Sequence, residues 1–532
     1  MDQDLPAEPV ELQFPWRYQD TSVTRSEIYK SGEIPSKHST TSFPAVTPDP
    51  SNDDELGTNT MDPFTSQRGS PQTANTKQPA PFLTLPGELI DAVFSYLTPL
   101  QLNRVSWVCQ RLRSHAHSEI HWQHHVVANL PGNTISSPYP CKTWRDLYAA
   151  HDPYWFLTKH KLWFCDRSLA GKMIIARYDK RRGCIEGYQL LATRRRNDSA
   201  VWAEVDSVEI QLFEPLVKLH LDKPVLQLDL DDASATSSTS DSDSSPFRPF
   251  LPDKPMQSTF GSDPQLRVLN LARSLDQSHL DYGIQGEFPY GQLWPPLTIP
   301  AHERVLGHPS QITRAVSNAM SLRSWKAQRP SEASDQAFRI CQWMELGVPP
   351  VRFHVNEELV TYSTLDPSLY TPTREKPWKG IWVGDYSTHG CEFILINQPD
   401  SLESRHQEPF AKLEGESDEE FEARFLTERV YRGRLEAIKL TGDPNVPRGE
   451  YTFIVDDLGE RGQLGIAQTP PFEGARIVKS RGHIAGIGFA NDRYLNSQLI
   501  IVSHNRLAQY WVDFHHISYF ERVDIDKFLV PE

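Results

Sequence analysis

Beyond about residue 160 the sequence breaks into short runs rich in β-branched and aromatic residues, punctuated by Gly, Asp, Asn and Pro. They are Gly171–Asp179, Cys184–Arg194, Val201–Phe213, Val217–Leu230, Gly380–Tyr386, Cys391–Gln398, Arg434–Gly442, Tyr451–Leu458, Ala475–Phe489, Ser497–Asn505 and Leu507–Phe514. That composition, broken repeatedly by turn residues, predicts an antiparallel β domain. Val217–Leu230 alternates apolar and polar residues on either side of Pro224, as strands with one buried face do, and the number of strands suggests a barrel or sandwich. Helical spacing interrupts the pattern at His308–Gln328 and at Ser334–Gly347, the second stretch ending before Val348-Pro349-Pro350.

Before residue 160 the period is helical. From Pro81 the chain reads PFLTLPGELIDAVFSYLTPLQLNRVSWVCQRLRSHAHSEIHWQHHV. Thr84 is placed to cap a first turn that tolerates Pro86. Leu89, Ile90, Val93, Phe94 and Leu97 follow three-and-four spacing, and Thr98-Pro99 restarts a second helix carrying Leu102, Val105 and Val108. Helices this short are marginal in water, so their apolar stripes must bury against one another and against a partner.

Composition divides the rest. Residues 1–80 hold ten of the 42 prolines with many Ser and Thr, which predicts a disordered tail. The acidic, Ser-rich stretch 229–260 and the acidic stretch 398–425, with a possible helix at its end, read as insertions in the β domain. The net charge of −15 argues against a general nucleic-acid binder or an anionic-membrane protein and favours protein partners. Cys109, Cys141, Cys165, Cys184, Cys341 and Cys391 form no C-x-x-C pair, which points to a reducing compartment. With no signal-peptide pattern and no long apolar run, a soluble protein of the cytoplasm, the nucleus or both is expected.

The helical segment resembles the F-box through Leu85-Pro86, Glu88, Leu89-Ile90, Phe94, Leu97, Leu102, Val105, Val108-Cys109 and Trp122, departing at Leu112, where many F-boxes carry Trp. The resemblance implies that Leu85, Pro86, Leu89, Ile90, Phe94, Leu97, Leu102, Val105, Val108 and Trp122 bind a Skp-type adaptor and, through it, a cullin and a RING subunit, by helix-in-groove docking without chemistry. Three further segments, Gly380–Ile396, Lys439–Phe453 and Ser480–Val523, are similar to the substrate domain of F-box-only protein thirty-one and its fungal and plant relatives. That resemblance implies a β-barrel engaging substrate tails, cyclin-like proteins and C-terminal ends among them. The chain is thus read as α+β: an F-box at 81–130, a helical linker at 131–158, and a barrel-like substrate domain at 159–532. The function implied is substrate recognition in a ubiquitin ligase. The alternative is a binding scaffold that carries an F-box and works without ubiquitin.

Other constellations are weaker. His115, His117, His121, His124 and His125 are dense, but His-Ser-Glu-Ile-His is not the zinc-protease H-E-x-x-H, and the helix is expected to face solvent opposite Trp122. Gly482, Gly486 and Gly488 lie among strand residues and suggest close packing or a bulge, not a dinucleotide loop. The basic runs at Lys180–Arg182 and Arg194–Arg196 read as solvated turns. No G-x-S-x-G, Walker or P-C-x-x-C motif occurs, so no catalytic residue, cofactor or metal is expected. The polar turns around Asp385–Gly390 and Asp443–Arg448 are placed to display side chains from a rigid barrel. Asp385, His389, Asn445 and Arg481 are expected to converge at one end of it, with Trp382 and Trp511 as apolar walls around a bound tail.

Overall fold

The structure, a computed structural model, describes residues 80–195, 199–202, 208–211, 213–230, 250–256, 266–275, 293–307, 326–348, 351–386, 389–400 and 412–531. The expected tail up to residue 79, residues 308–325 of the helix expected over 308–328, most of the insertion expected at 229–260 and residues 401–411 of the one expected at 398–425 lie outside these residues. The chain divides into two compact units that meet between Ala116 and His117.

In the first unit a 3-10 turn, Pro81–Thr84, precedes the helices Gly87–Phe94, Pro99–Val105 and Gln110–Ala116. Thr84 does not cap the helix that follows: its hydroxyl donates to the Pro81 carbonyl, and Pro86 stands at the N-cap. Thr98 does cap its helix, in a reciprocal capping box with Gln101. The third helix secures the Leu-Pro turn, since Arg111 Nη2 donates to the Leu85 carbonyl at 2.8 Å and His115 Nδ1 meets Asp91 at 2.8 Å. Leu112 is buried, so the smaller side chain still fills the core position that Trp takes in many F-boxes.

The second unit opens with helices Glu119–Ala128, Trp144–His151 and Phe156–His160. Trp122 is wholly buried, 5.7 Å from the Tyr148 ring. The strands follow in chain order: β1 Leu162–Cys165, β2 Met173–Asp179, β3 Cys184–Arg194, β4 Ser199–Val201, β5 Glu209–Gln211, β6 Pro215–Leu219, β7 Leu226–Leu228, β8 Asp253–Met256, β9 Leu266–Arg273, β10 Leu293–Trp294, β11 Val305–Leu306, β12 Ala333–Val348 and β13 Val351–Ser363. After Ser363 come β14 Gly380–Asp385, β15 Cys391–Asn397, β16 Leu435–Lys439, β17 Tyr451–Val455, β18 Gln463–Ile466, β19 Arg476–Gly486, β20 Ala490–Ile501, β21 Arg506–Trp511 and β22 His516–Arg522. A helix, Asp418–Val430, caps the second acidic stretch.

These strands build two bodies. Nine of the first thirteen form an antiparallel sheet ordered β6-β3-β2-β1-β13-β12-β9-β8, with β7 continuing the β6 edge along β3. Both strands flanking Pro224 therefore exist, and Pro224 lies in the turn between them. The later strands run β14-β15-β16-β17-β19-β20-β21-β22 and close by pairing β14 with β22, giving an antiparallel eight-stranded barrel. The expected helix at 334–347 is instead strand β12, paired on both sides by β13 and β9. Phe338, Arg339, Ile340 and Cys341 are all buried, so this central strand lacks the one-face alternation that would have revealed it.

Alternation partitions the barrel's side chains. Trp382, Ile394, Ala437, Phe453, Val478, Leu499, Leu507 and Phe520 fill the interior, as expected for eight strands, whose lumen side chains can just fill. Ile381, Val383, Phe393, Ile438, Ile477, Ile500 and Ile517 point outward and share one core with Phe164, Met173 and Ile175 of the sheet. Gly482 is obligatory here, because an added Cβ would lie 2.3 Å from Cζ3 of Trp511, and the register shift beyond Ile484 is the bulge that the glycine series suggests. Gly482→Ala is expected to destabilise the barrel by about 1–3 kcal/mol through overpacking, measured by denaturant unfolding, and Trp511→Leu in the same chain is expected to recover part of that loss.

Candidate protein-interaction sites

Register fixes which loops share a barrel end. The β14–β15 hairpin (Asp385 opposite Cys391), the loop after Lys439, the β19–β20 hairpin (Gly486 opposite Ala490) and the β21–β22 turn (Trp511 opposite His516) all lie at one end. The Gly488 N–H donates to the Pro444 carbonyl at 2.8 Å, joining two of these loops.

Just inside this end sits a buried polar cluster that the sequence did not announce. Lys439 Nζ lies 2.8 Å from Glu392 and 2.7 Å from Asp443, with its ammonium 4.3 Å from the Tyr386 ring centre. Tyr386 in turn donates to Thr452 Oγ1 at 2.9 Å. One cation faces two carboxylates, so one of them retains a proton. Burial drives Glu392 up to about 8. For Asp443 burial is outweighed by Lys439 and by hydrogen bonds from Glu392 and Lys439, which hold it near 2. Lys439 carried no sequence signal, because a lysine in a strand reads as an outward position.

Of the expected pocket residues, Asp385, His389, Asn445 and Trp511 lie at this end, but they differ in what is free to bind. His389 is exposed at the hairpin. Asn445 is committed to the loop itself, its amide donating to the Ala485 carbonyl at 3.0 Å and its backbone N–H to Asp443 at 2.6 Å. Asp385 is buried and ion-paired with Arg194 of β3, so that basic residue is an anchor and not a solvated turn. Trp382 is fully buried, its indole donating to the Trp378 carbonyl at 3.0 Å, and lines the core instead of an open wall. Trp511 packs on Gly482. Arg481 does not join them: alternation directs it away from the Gly482 side, and Asp456 accepts from it at 2.8 and 3.1 Å. Exposed apolar tips that the sequence reading passed over, Ile487 and Phe514, stand on two of the end loops.

The helical segment also redistributes. Ile90, Phe94, Leu102 and Trp122 are core and present nothing to a partner, and Leu85, Leu97 and Val105 are half-buried. Pro86, Leu89 and Val108 are exposed, joined by Phe82, Val93, Tyr96, Leu100 and Trp107. On the first helix and its end, Leu89, Val93 and Tyr96 share an exposed face turned away from the buried face of Ile90 and Phe94. Tyr96 is 88% and Trp107 65% exposed, and with Leu89, Val93, Leu100 and Val108 they make a group of exposed apolar side chains on one short segment, the kind of clustering that marks an interaction surface. In the histidine run, His121 is buried and does not face solvent.

Two predictions follow from the buried cluster. Glu392 is raised above its unfolded value, so its stabilising contribution is full below pH about 4.5 and is lost as pH rises toward about 8. Glu392→Gln is therefore expected to lose less stability than the parent between pH about 5 and about 8, by on the order of 2 kcal/mol in unfolding titrations. Lys439→Met strands the Asp443 carboxylate in the core and is expected to cost about 3–5 kcal/mol at neutral pH.

Two family models match the chain. Residues 82–128 match the F-box-like family, and residues 362–527, which contain the whole barrel, match the cyclin D1 binding domain. Among curated proteins the chain is similar to Protein EXECUTER 1, chloroplastic, of Arabidopsis thaliana, at 26% identity over 163 residues, covering 29% of this chain and 22% of that protein. It is also similar to Protein EXECUTER 2, chloroplastic, of Arabidopsis thaliana (25% identity, 29% of this chain, 21% of that protein) and of Oryza sativa subsp. japonica (27%, 24% and 17%). The chain spans less than a quarter of the length of these relatives. F-box proteins are typically non-catalytic substrate adaptors, and an F-box-like segment joined to a cyclin D1 binding domain supports an F-box protein with a general substrate-recognition role.

Proposed function

We propose that this chain is the substrate-recognition subunit of a Skp–cullin–F-box ubiquitin ligase of the F-box-only protein thirty-one type, working in the cytoplasm, the nucleus or both. The observation that carries the reading is the exposed row of Leu89, Val93, Tyr96, Leu100, Trp107 and Val108 on the F-box-like helices. A few such anchors, buried in a partner groove, supply most of the affinity of helix-in-groove docking. The adaptor recruits cullin and RING subunits, and the barrel end bearing His389, Ile487 and Phe514 holds a cyclin-like substrate or its tail. This chain supplies no reacting group: it raises the substrate's local concentration beside the charged conjugating enzyme.

Leu100→Ala with Trp107→Ala is expected to weaken binding of a purified Skp-type adaptor by about 2–4 kcal/mol in titration calorimetry without changing the unfolding temperature, because both side chains are exposed. Undiminished adaptor affinity overturns the assignment. His389→Asp with Ile487→Asp is expected to abolish capture of a cyclin-type substrate while adaptor affinity stays unchanged. If capture is lost but substrate lifetime in cells is unaltered, the chain acts as a scaffold independent of ubiquitin.

A further inference from the structure

A cleft lies on the nine-stranded sheet, away from the barrel loops. Its volume is about 830 Å³, and it is lined by Arg177 and Asp179 of β2, Arg181 and Arg182 of the following turn, Glu186 and Tyr188 of β3, Val217–Leu219 and Leu221 at the β6 edge, and Lys527, Phe528 and Val530. That size is in the range of built ligand sites. Arg194, which reaches Asp385, lies eight residues further along β3 than Glu186, a separation of roughly 26 Å along an extended strand.

The floor is preorganised. Asp179 accepts from the Arg181 backbone N–H at 2.9 Å, from Arg181 Nε at 3.1 Å and from Arg182 Nε at 3.0 Å. Glu186 accepts from Arg177 Nε at 2.7 Å, from Tyr188 at 3.2 Å and from Arg182. Three guanidinium groups thus share two carboxylates, and Lys218 and Lys527 add two exposed cations at the rim. The lining holds five cations and two carboxylates, with Asp524, 3.7 Å from Lys527, as a third, which leaves an excess of positive charge in a chain whose net charge is −15. Val217, Leu219 and Phe528, half-buried and packed in part on the core, complete the lining with Leu221, which is 55% exposed. Among the described strands, β6 pairs only with β3, so its outer edge is open to an extended chain.

We propose that this cleft binds an acidic peptide segment of a partner protein, one that carries apolar side chains among its carboxylates. The excess positive charge selects the carboxylates. The Val217–Leu221 and Phe528 walls take the apolar side chains, which a free phosphate lacks. A phosphate backbone offers no apolar side chains to these walls, which disfavours nucleic acid. The site does not rest on the ubiquitin-ligase reading, since neither the F-box-like helices nor the barrel loops contribute to it.

The test is fluorescence anisotropy of the full chain with a short labelled peptide of alternating Glu and Leu, and with its Lys-for-Glu counterpart. Binding of the acidic peptide alone, weakening as salt rises, is expected, with about a tenfold loss for Lys218→Glu combined with Lys527→Glu. Leu221→Ser is expected to weaken binding without altering its salt dependence. These side chains are exposed, so unfolding temperature and adaptor affinity are expected to stay at parent values. Equal binding of both peptides, or unchanged affinity in the charge-reversed chain, overturns the proposal. So does complete displacement by inorganic phosphate, equal binding of an oligothymidine with the same loss in the variant, or binding that appears only when residues 231–249 are deleted, which would give the cleft to the chain's own acidic stretch.

Discussion

Eight strands make a barrel only when the first and the last find each other, and here that condition is met by Trp382, Val383 and Gly384 pairing with Arg522, Glu521 and Phe520. Without this ladder the β14 and β22 edges would be open and Trp382, now wholly enclosed, would face water. The polar side chains that closure encloses near the loop end are paired with one another. Lys439, Glu392 and Asp443 neutralise one another there, and deeper in, Gln509 donates to Ser480, whose hydroxyl lies 2.9 Å from that of Ser497. The loops above stand on a rigid, internally compensated base, which suits a surface that must present side chains without ordering them at the moment of binding.

The barrel does not stand alone. Its outer face shares a core with the nine-stranded sheet, and polar contacts reinforce that seam: Arg448 donates to the Asp166 carbonyl, and the Gly442 N–H to that of Ala170 at 2.8 Å. Arg194 reaching Asp385 belongs to the same set. The loop after Lys439 is thereby held from the inside by Asp443 and from the outside by the sheet, so the sheet acts as a brace for the end that carries the exposed tips.

How much of this could be read from residues alone depended on whether the signal was local. The helical period of Ile90, Phe94 and Leu102, the Thr98-Pro99 restart, and the β-branched runs from Gly380 onward are local, and they located the helical segment and the barrel strands. Strand β12 was legible only as a helix, since burial on both faces erases alternation. The division of the β region into a sheet and a barrel was not legible, because nothing within a strand says which partner closes the ladder. Site roles failed for the same reason. Arg194 looked like part of a solvated turn, although its carboxylate partner is 191 positions away. Arg481 looked like a pocket residue until its neighbour Gly482 fixed the parity of the strand. In the helical segment, apolar spacing identified the stripe but could not separate the residues that fill the core from those left outside, such as Tyr96 and Trp107.

Strand β22 also governs the order in which the molecule can be made. It completes the barrel against β14, pairs in parallel with β5 from the region before the barrel, and leads into the turn Ile525–Phe528, where Asp526 meets Lys161 across 365 positions. Loop closure over such separations is slow, and it requires that the preceding chain already be present. A ribosome-bound chain lacking β22 would therefore carry an unsealed barrel edge and an uncovered flank on the sheet at once. The last barrel strand acts as a single latch for two bodies, and chains interrupted before it would present the open strand edges and apolar surface that chaperones and proteases engage.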